Sequence, residues 1–254
     1  MKRVAMLSLF VVSIVLCYAA EKAAAEEKWA DLFDGKTLNG WVVRSGFAKY
    51  FVEDGAIVGE TVEGSPNTFL CTDKPYGDFI LEFEVKDDPK LNSGVQIRSH
   101  AYETETKAPA PEGKEPKGKE PKAKEVKAKK AQRTWPAGRV YGYQVEISNE
   151  QAGTSGGIYD EARRARFLKD VKDDPVASKA LKDNQWNKYR VVCRGDSIKT
   201  WVNDVPCVDL VDSMDKSGFI GLQVHQIKTD RPLQVRWRNI RIQELDKPAA
   251  EEKK

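Results

Sequence analysis

Histidine is nearly absent from this 254-residue sequence, which holds only His100 and His225. A three-histidine zinc site is thereby excluded, and no HExxH pair of metal ligands occurs. The phosphate-cradling GxxxxGK[ST] loop and the GxGxxG dinucleotide fingerprint are missing as well. Cysteine is scarce: beyond Cys17 there are Cys71, Cys193 and Cys207, an odd number that rules out a complete disulfide framework. Cys193 and Cys207 fall on the outer two of three strands turned at Gly195-Asp196 and Asn203-Asp204. That register has Cys193 facing Ile198 and Cys207 facing Thr200, which separates the two thiols by about 10 Å or more, beyond disulfide reach.

The one long apolar run, Val4 to Leu16, is short for a membrane span of about 20 residues. It follows Lys2 and Arg3 and gives way to small residues from Ala19, the order of a signal peptide. Residues 1–25 are read as that peptide, with cleavage near Ala19, Ala20 or Ala25, and the bulky Leu16 argues against lipid attachment at Cys17. The expectation is an exported protein, periplasmic or secreted, with no transmembrane span in its mature form.

The net charge of +3 is unevenly spread. Thr104 to Thr134 alone carries nine Lys, one Arg and five Glu, in repeats reading KEPKG, KEPKA and KEVKA. Without it and the two basic residues of the leader, the remainder is acidic, so no basic footprint for nucleic acid is left. The repeat has too few apolar residues to offset the entropy of ordering, and residues 104–136 are expected to be a disordered insertion. Contact with an anionic envelope polysaccharide is one role for such a segment. Residues 247–254 form a second low-complexity piece, leaving one domain within 26–246.

That domain reads as short alternating runs between turns. DFILEFEVK sets Phe79, Leu81, Phe83 and Val85 on one face and Ile80, Glu82 and Glu84 on the other. NSGVQIRSH, GYQVEI, NKYRVVCR, SIKTWVN, SGFIGLQVH and LQVRWRNIRIQEL behave alike. DEARRARFL and PVASKALKD are the only helical patterns. Many strands at short spacing imply an all-β sandwich or barrel, and the six tryptophans, which suit a thick two-sheet core, favour the sandwich, with one or two short helices.

Three strands share an unusual polar face. SGVQIRSH offers Gln96, Arg98 and His100, GYQVEI offers Gln144 and Glu146, and GLQVH offers Gln223 and His225. If these strands are neighbours, the polar groups converge where a sugar's hydroxyls could be hydrogen-bonded. The alternative is a solvated face with one structural Arg–Glu pair. Ser155 to Arg164, SGGIYDEARR, adds Tyr159, Asp160 and Glu161 at the start of a short helix, with Gly156 and Gly157 permitting close backbone approach. Asp160 would be a helix cap, or the loop would close the groove's end over a ligand. Two-acid glycosidase chemistry needs carboxylates about 5 Å apart. Glu146 and Glu150 have a suitable spacing, but Glu150 stands at the strand's exit.

The ordered motifs LFDGKTLNGW, NSGVQIRS, GRVYGYQVEI, GGIYDEARR, WNKYRVV, IKTWVNDVPC, GFIGLQVH and VRWRNIRIQEL resemble the 3-keto-disaccharide hydrolase family. This sequence departs from the pattern at SNEQAGTSGG, at VND in place of VNG, and in its large insertion. The resemblance implies an exported bacterial protein with a two-sheet jelly-roll (concanavalin A-like) sandwich, and C2 proton abstraction from a 3-keto-glycoside, departure of the aglycone from C1, and addition of water. Fitting the polar face to that chemistry assigns Glu146 or His225 as base and Arg98 with Gln144 as enolate and hydroxyl ligands. Gln96 and Gln223 bind substrate, and Tyr159, Asp160 or Glu161 serve as acid or positioning groups. The sequence fits no particular cofactor; a hard divalent cation such as calcium would take Glu146, His225 and an acid of the Tyr159–Glu161 run as ligands. The competing functions are a carbohydrate-binding module and an envelope interaction protein that uses the basic insertion.

Overall fold

A computed structural model describes residues 29–107 and 134–245. The signal peptide expected at 1–25, most of the insertion expected at 104–136 and the tail expected at 247–254 lie outside the described residues.

The first strands are β1 (Ala30–Asp31), β2 (Trp41–Arg44), β3 (Lys49–Glu53), β4 (Ala56–Glu60), β5 (Thr68–Thr72), β6 (Phe79–Asp87) and β7 (Ser93–Ala101). After them come β8 (Thr106–Lys107), β9 (Thr134–Trp135), β10 (Val140–Ile147), β11 (Ile158–Glu161) and β12 (Phe167–Lys169). The last are β13 (Asn187–Arg194), β14 (Ser197–Val202), β15 (Val205–Val211), β16 (Phe219–Val224) and β17 (Gln234–Glu244). One sheet runs β15-β14-β13-β6-β17-β4-β3 with β1 on β17, and the other β12-β11-β10-β7-β16-β5-β2. All pairings within the two sheets are antiparallel. The protein is the all-β sandwich that the alternation predicts.

Side-chain period two builds the core directly. Phe79, Leu81, Phe83 and Val85 of β6 are all buried and face Val95, Ile97, Tyr143, Val145 and Leu222 of the other sheet across one apolar cluster. Phe83 stacks on Tyr189 at 5.0 Å between ring centres. Tryptophan contributes less than expected: Trp41 and Trp237 are buried in that core, while Trp29, Trp135, Trp186 and Trp201 are half-exposed at its margins.

The Gly195-Asp196 and Asn203-Asp204 turns form as expected, with Asn203 and Asp204 both at positive φ, the conformation of a tight hairpin turn. Cys193 pairs with Ile198, but β15 bulges beside Thr200 and Trp201, so Thr200 faces Val208 instead of Cys207. All three described cysteines are free thiols.

Two local expectations fail. PVASKALKD supplies only a single 3-10 turn, Ala177–Lys179. DEARRARFL is no helix: its first residues lie in β11, its last in β12, and a turn with Ala162 and Ala165 at positive φ joins them. Tyr159 and Asp160 pair with Gln144 and Tyr143 of β10, so tertiary strand pairing overrides helix propensity here. Among the described residues no helix is long and apolar enough to cross a membrane.

Candidate functional site

The three polar strands are neighbours, in the order β10-β7-β16. Gln144 pairs with Gln96, and Gln223 and Glu146 lie on either side of Gly94. Gln96, Gln144, Glu146 and Gln223 therefore share the sheet face turned away from the core. Alternation along β11 sends Tyr159 and Glu161 to the same face, and His225 follows Gln223 by two residues at the end of β16.

Little of this face is open. Gln96 and Gln223 are 0% exposed, Gln144 2% and Glu146 7%. The run that returns from β9 is tied to the loops after β2 and before β5 and to Glu161 of β11. Gly138 O accepts from Ser45 Oγ at 3.1 Å, Val140 N donates to Ser45 Oγ at 2.7 Å, and Arg139 reaches Asn67 and Glu161. β8 and β9 pair as a short ribbon, so the ends of the expected insertion are ordered and rooted at the rim of the site.

Beside this run is a cavity of about 400 Å³, lined by Asn67, Trp135, Arg139, Tyr159, Glu161 and His225 among others, with Glu146 and the three glutamines set behind its wall and outside its lining. Arg139 Nη2 donates to Glu161 Oε1, an oxygen that also accepts from Asn67 Nδ2 at 3.3 Å. The guanidinium sits over the rings of Trp135 and Phe69, 5.0 and 5.9 Å from their centres. Asn67 Oδ1 takes the backbone N–H of Gln226, and His225 Nδ1 lies 2.7 Å from the Gln226 carbonyl. A carbonyl can only accept, so Nδ1 carries the proton in that contact and neutral His225 keeps its lone pair on Nε2. Tyr159 packs edge-on against Phe167.

Glu146 accepts from Asn92 Nδ2 at 2.6 Å and from Gln144 Nε2 at 3.1 Å. Burial pushes its carboxyl from 4.5 up to about 7; the two amide hydrogen bonds oppose that rise and the Glu161 carboxylate adds to it.

Arg98 is elsewhere. β7 carries one residue more than its neighbours at this level, and Arg98 stands there with φ 47°. The bulge breaks the alternation and turns the guanidinium to the other side of the sheet, fully buried. There it donates to Gly77 O (2.8 Å), Gly195 O (2.7 Å) and Asp78 Oδ1 (2.7 Å), tying the end of one sheet to the other. Arg98 is a structural clamp, and Arg139 is the guanidinium of the groove. His100, past the same bulge, lies 3.6 Å from Asp215 and outside the cavity.

Asp160 also leaves the groove, because in a strand it points opposite to Tyr159 and Glu161. It is 0% exposed, holds Arg163 at 3.0 Å and pairs with Arg164, and these arginines reach Asp215 and Asp212. The helix cap expected at Asp160 is thus a buried ion-pair hub. Gly156 does allow close approach, but to the other sheet: a Cβ there would lie 2.8 Å from Cys207 Sγ.

Glu150 lies past the end of β10, exposed, and makes no second acid for Glu146. Residues 153–157, GTSGG, have the spacing of a nucleophile elbow. Ser155 is nevertheless buried, donates to Ser148 O at 2.9 Å and leads into a strand instead of a helix. Among the described residues no group of three or more His, Cys, Asp or Glu converges as metal ligands, so the calcium-type set of Glu146, His225 and an acid is not assembled.

The model of the 3-keto-alpha-glucoside-1,2-lyase-like domain family matches residues 28–243. The chain belongs to this family. No curated protein matches it in sequence. A crystal structure of a candidate glycosyl hydrolase from Parabacteroides distasonis ATCC 8503 superposes with a TM-score of 0.51 at 18% identity, covering 89% of this chain and 97% of that one. A Bacillus subtilis protein of unknown function with a galectin-like fold gives 0.54 at 9% identity, covering 87% of this chain and 100% of that one. At such identities the likeness shows the jelly-roll fold alone. Family membership gives the chain a carbohydrate-related function.

Proposed function

We propose that this chain is an exported enzyme that cleaves 3-keto-glycosides through elimination and hydration. A ketone at C3 acidifies the C2–H, so a single base can start the reaction. Glu146 takes the C2 proton, the C2–H electrons form the C1=C2 double bond, and the C1–O bond to the aglycone breaks. Water then adds its oxygen to C1 and a proton returns to C2, which sums to hydrolysis. Arg139 stands on the cavity wall, where a fixed cation stabilises charge growing on the C3 oxygen. His225 takes up a second proton at Nε2, passes it as the imidazolium to the departing oxygen, and recovers one from the water that adds to C1.

One observation carries this reading. Glu146 is a carboxyl on the groove face with its pKa near 7, suited to giving and taking a proton at neutral pH. The route needs no second carboxylate at nucleophile distance, which accords with Glu150 standing apart. The Lys2–Ala25 pattern supports export to the periplasm or beyond.

The test is aglycone release from an aryl 3-keto-glucoside by the purified chain. Glu146→Gln and His225→Ala should each cut kcat by about 100-fold or more, the usual contribution of one acid–base group. The same cavity would serve a carbohydrate-binding module, and tight binding of the keto-sugar without release would establish that function instead.

A further inference from the structure

Gln144 Oε1 accepts hydrogen bonds from Gln96 Nε2 at 2.7 Å and Gln223 Nε2 at 2.9 Å. With two donors on its oxygen, the amide has only N–H to offer on its other side, and Nε2 donates to Glu146 Oε2. Ser99 Oγ donates to Gln96 Oε1 at 2.8 Å and turns that amide the same way. Every bond in the row points its hydrogen toward Glu146. Gly94 makes room: a Cβ at this position would lie 2.5 Å from both Cγ and Cδ of Gln144.

The three glutamines are too covered to meet a sugar directly. We propose that Gln144, oriented by Gln96 and Gln223, is a positioning residue that holds the Glu146 carboxylate as a proton acceptor and does not bind the substrate. This rests on the reading of Glu146 as the base.

The physical effect is a balance. Burial and the Glu161 carboxylate favour neutral Glu146, while Asn92, Gln144 and Lys172 favour the ion; among the described residues the phenols of Tyr159 and Tyr189 also interact with its charge. Losing Gln144 N–H removes a hydrogen bond to the charged form and leaves less base at neutral pH.

Titration of the Glu146 carboxyl by 13C NMR in the full chain, assigned through Glu146→Gln, tests this without any substrate. In Gln144→Met the Glu146 midpoint should rise by about one pH unit, a tenfold change in proton affinity. Gln144→Glu keeps the shape and both incoming hydrogen bonds. Its new carboxyl must share a proton with Glu146, so the pair should titrate higher still. The acid limb of kcat/KM should move with the midpoint while KM stays nearly unchanged. A midpoint that stays put in folded Gln144→Glu, or a large rise in KM with the acid limb fixed, would overturn the proposal. If the midpoint moves but the wild type releases no aglycone, the positioning role stands and the proposed function fails.

Discussion

Arg98 and Asp78 bridge the two sheets through a 2.7 Å hydrogen-bonded ion pair, with the arginine side chain fully buried. The guanidinium also donates to the backbone carbonyls of Gly77, Gly195 and Asp215. Removing one partner of a buried pair strands the other charge. Arg98→Met is therefore expected to lower stability by about 3–5 kcal/mol, read as a fall in urea midpoint. An Arg98 serving the groove would instead lose activity with its stability intact.

Asp160 makes a comparable prediction on the opposite side of β11. Asp160→Asn keeps the side-chain shape but removes the charge that holds Arg163 and Arg164. A loss of about 3 kcal/mol is expected. Because Tyr159 and Glu161 flank Asp160 and line the cavity, affinity for a keto-sugar should fall too. Faster amide exchange across β11 and β12, measured in the variant, checks the cause. Unchanged exchange with lost affinity would mean that Asp160 acts at the ligand.

Stability should also report on Glu146. Its carboxyl titrates at 4.5 when unfolded and at about 7 when folded. Below pH 4.5 both states hold the proton and its contribution is complete. As pH rises toward 7 the unfolded state ionises first, and stability worth about 3 kcal/mol is progressively lost. Asp87, which burial raises from 3.8 to about 7, acts with the same sign. Urea melts across this range should show a shallower decline in Glu146→Gln, and a further flattening when Asp87→Asn is added. A wild-type slope retained in Glu146→Gln would mean that Glu146 is not raised.

The fold and the neighbourhood of the polar strands were legible because alternation assigns faces without any knowledge of partners. Gln96, Gln144, Glu146 and Gln223 share a face as their spacing requires. Arg98 leaves that face at a bulge, and a bulge at a non-glycine residue leaves no mark on the spacing. DEARRARFL has helical composition, and only pairing with β10 puts Asp160 in a strand, pointing away from the groove. Arg139 and Asn67 were missed for another reason. Arg139 lies just before β10 and Asn67 just before β5, and loop residues that meet only after folding carry no periodic signal. The burial of the glutamines depends on what covers the sheet, which no strand pattern encodes.

The most direct measurement is turnover of a 3-keto-glucoside in deuterium oxide, with the product's C2 hydrogen read by NMR against an enzyme-free control. Abstraction at C2 followed by hydration predicts aglycone release with deuterium at C2, and the loss of both in Glu146→Gln. Release with the original hydrogen retained at C2 would contradict the account.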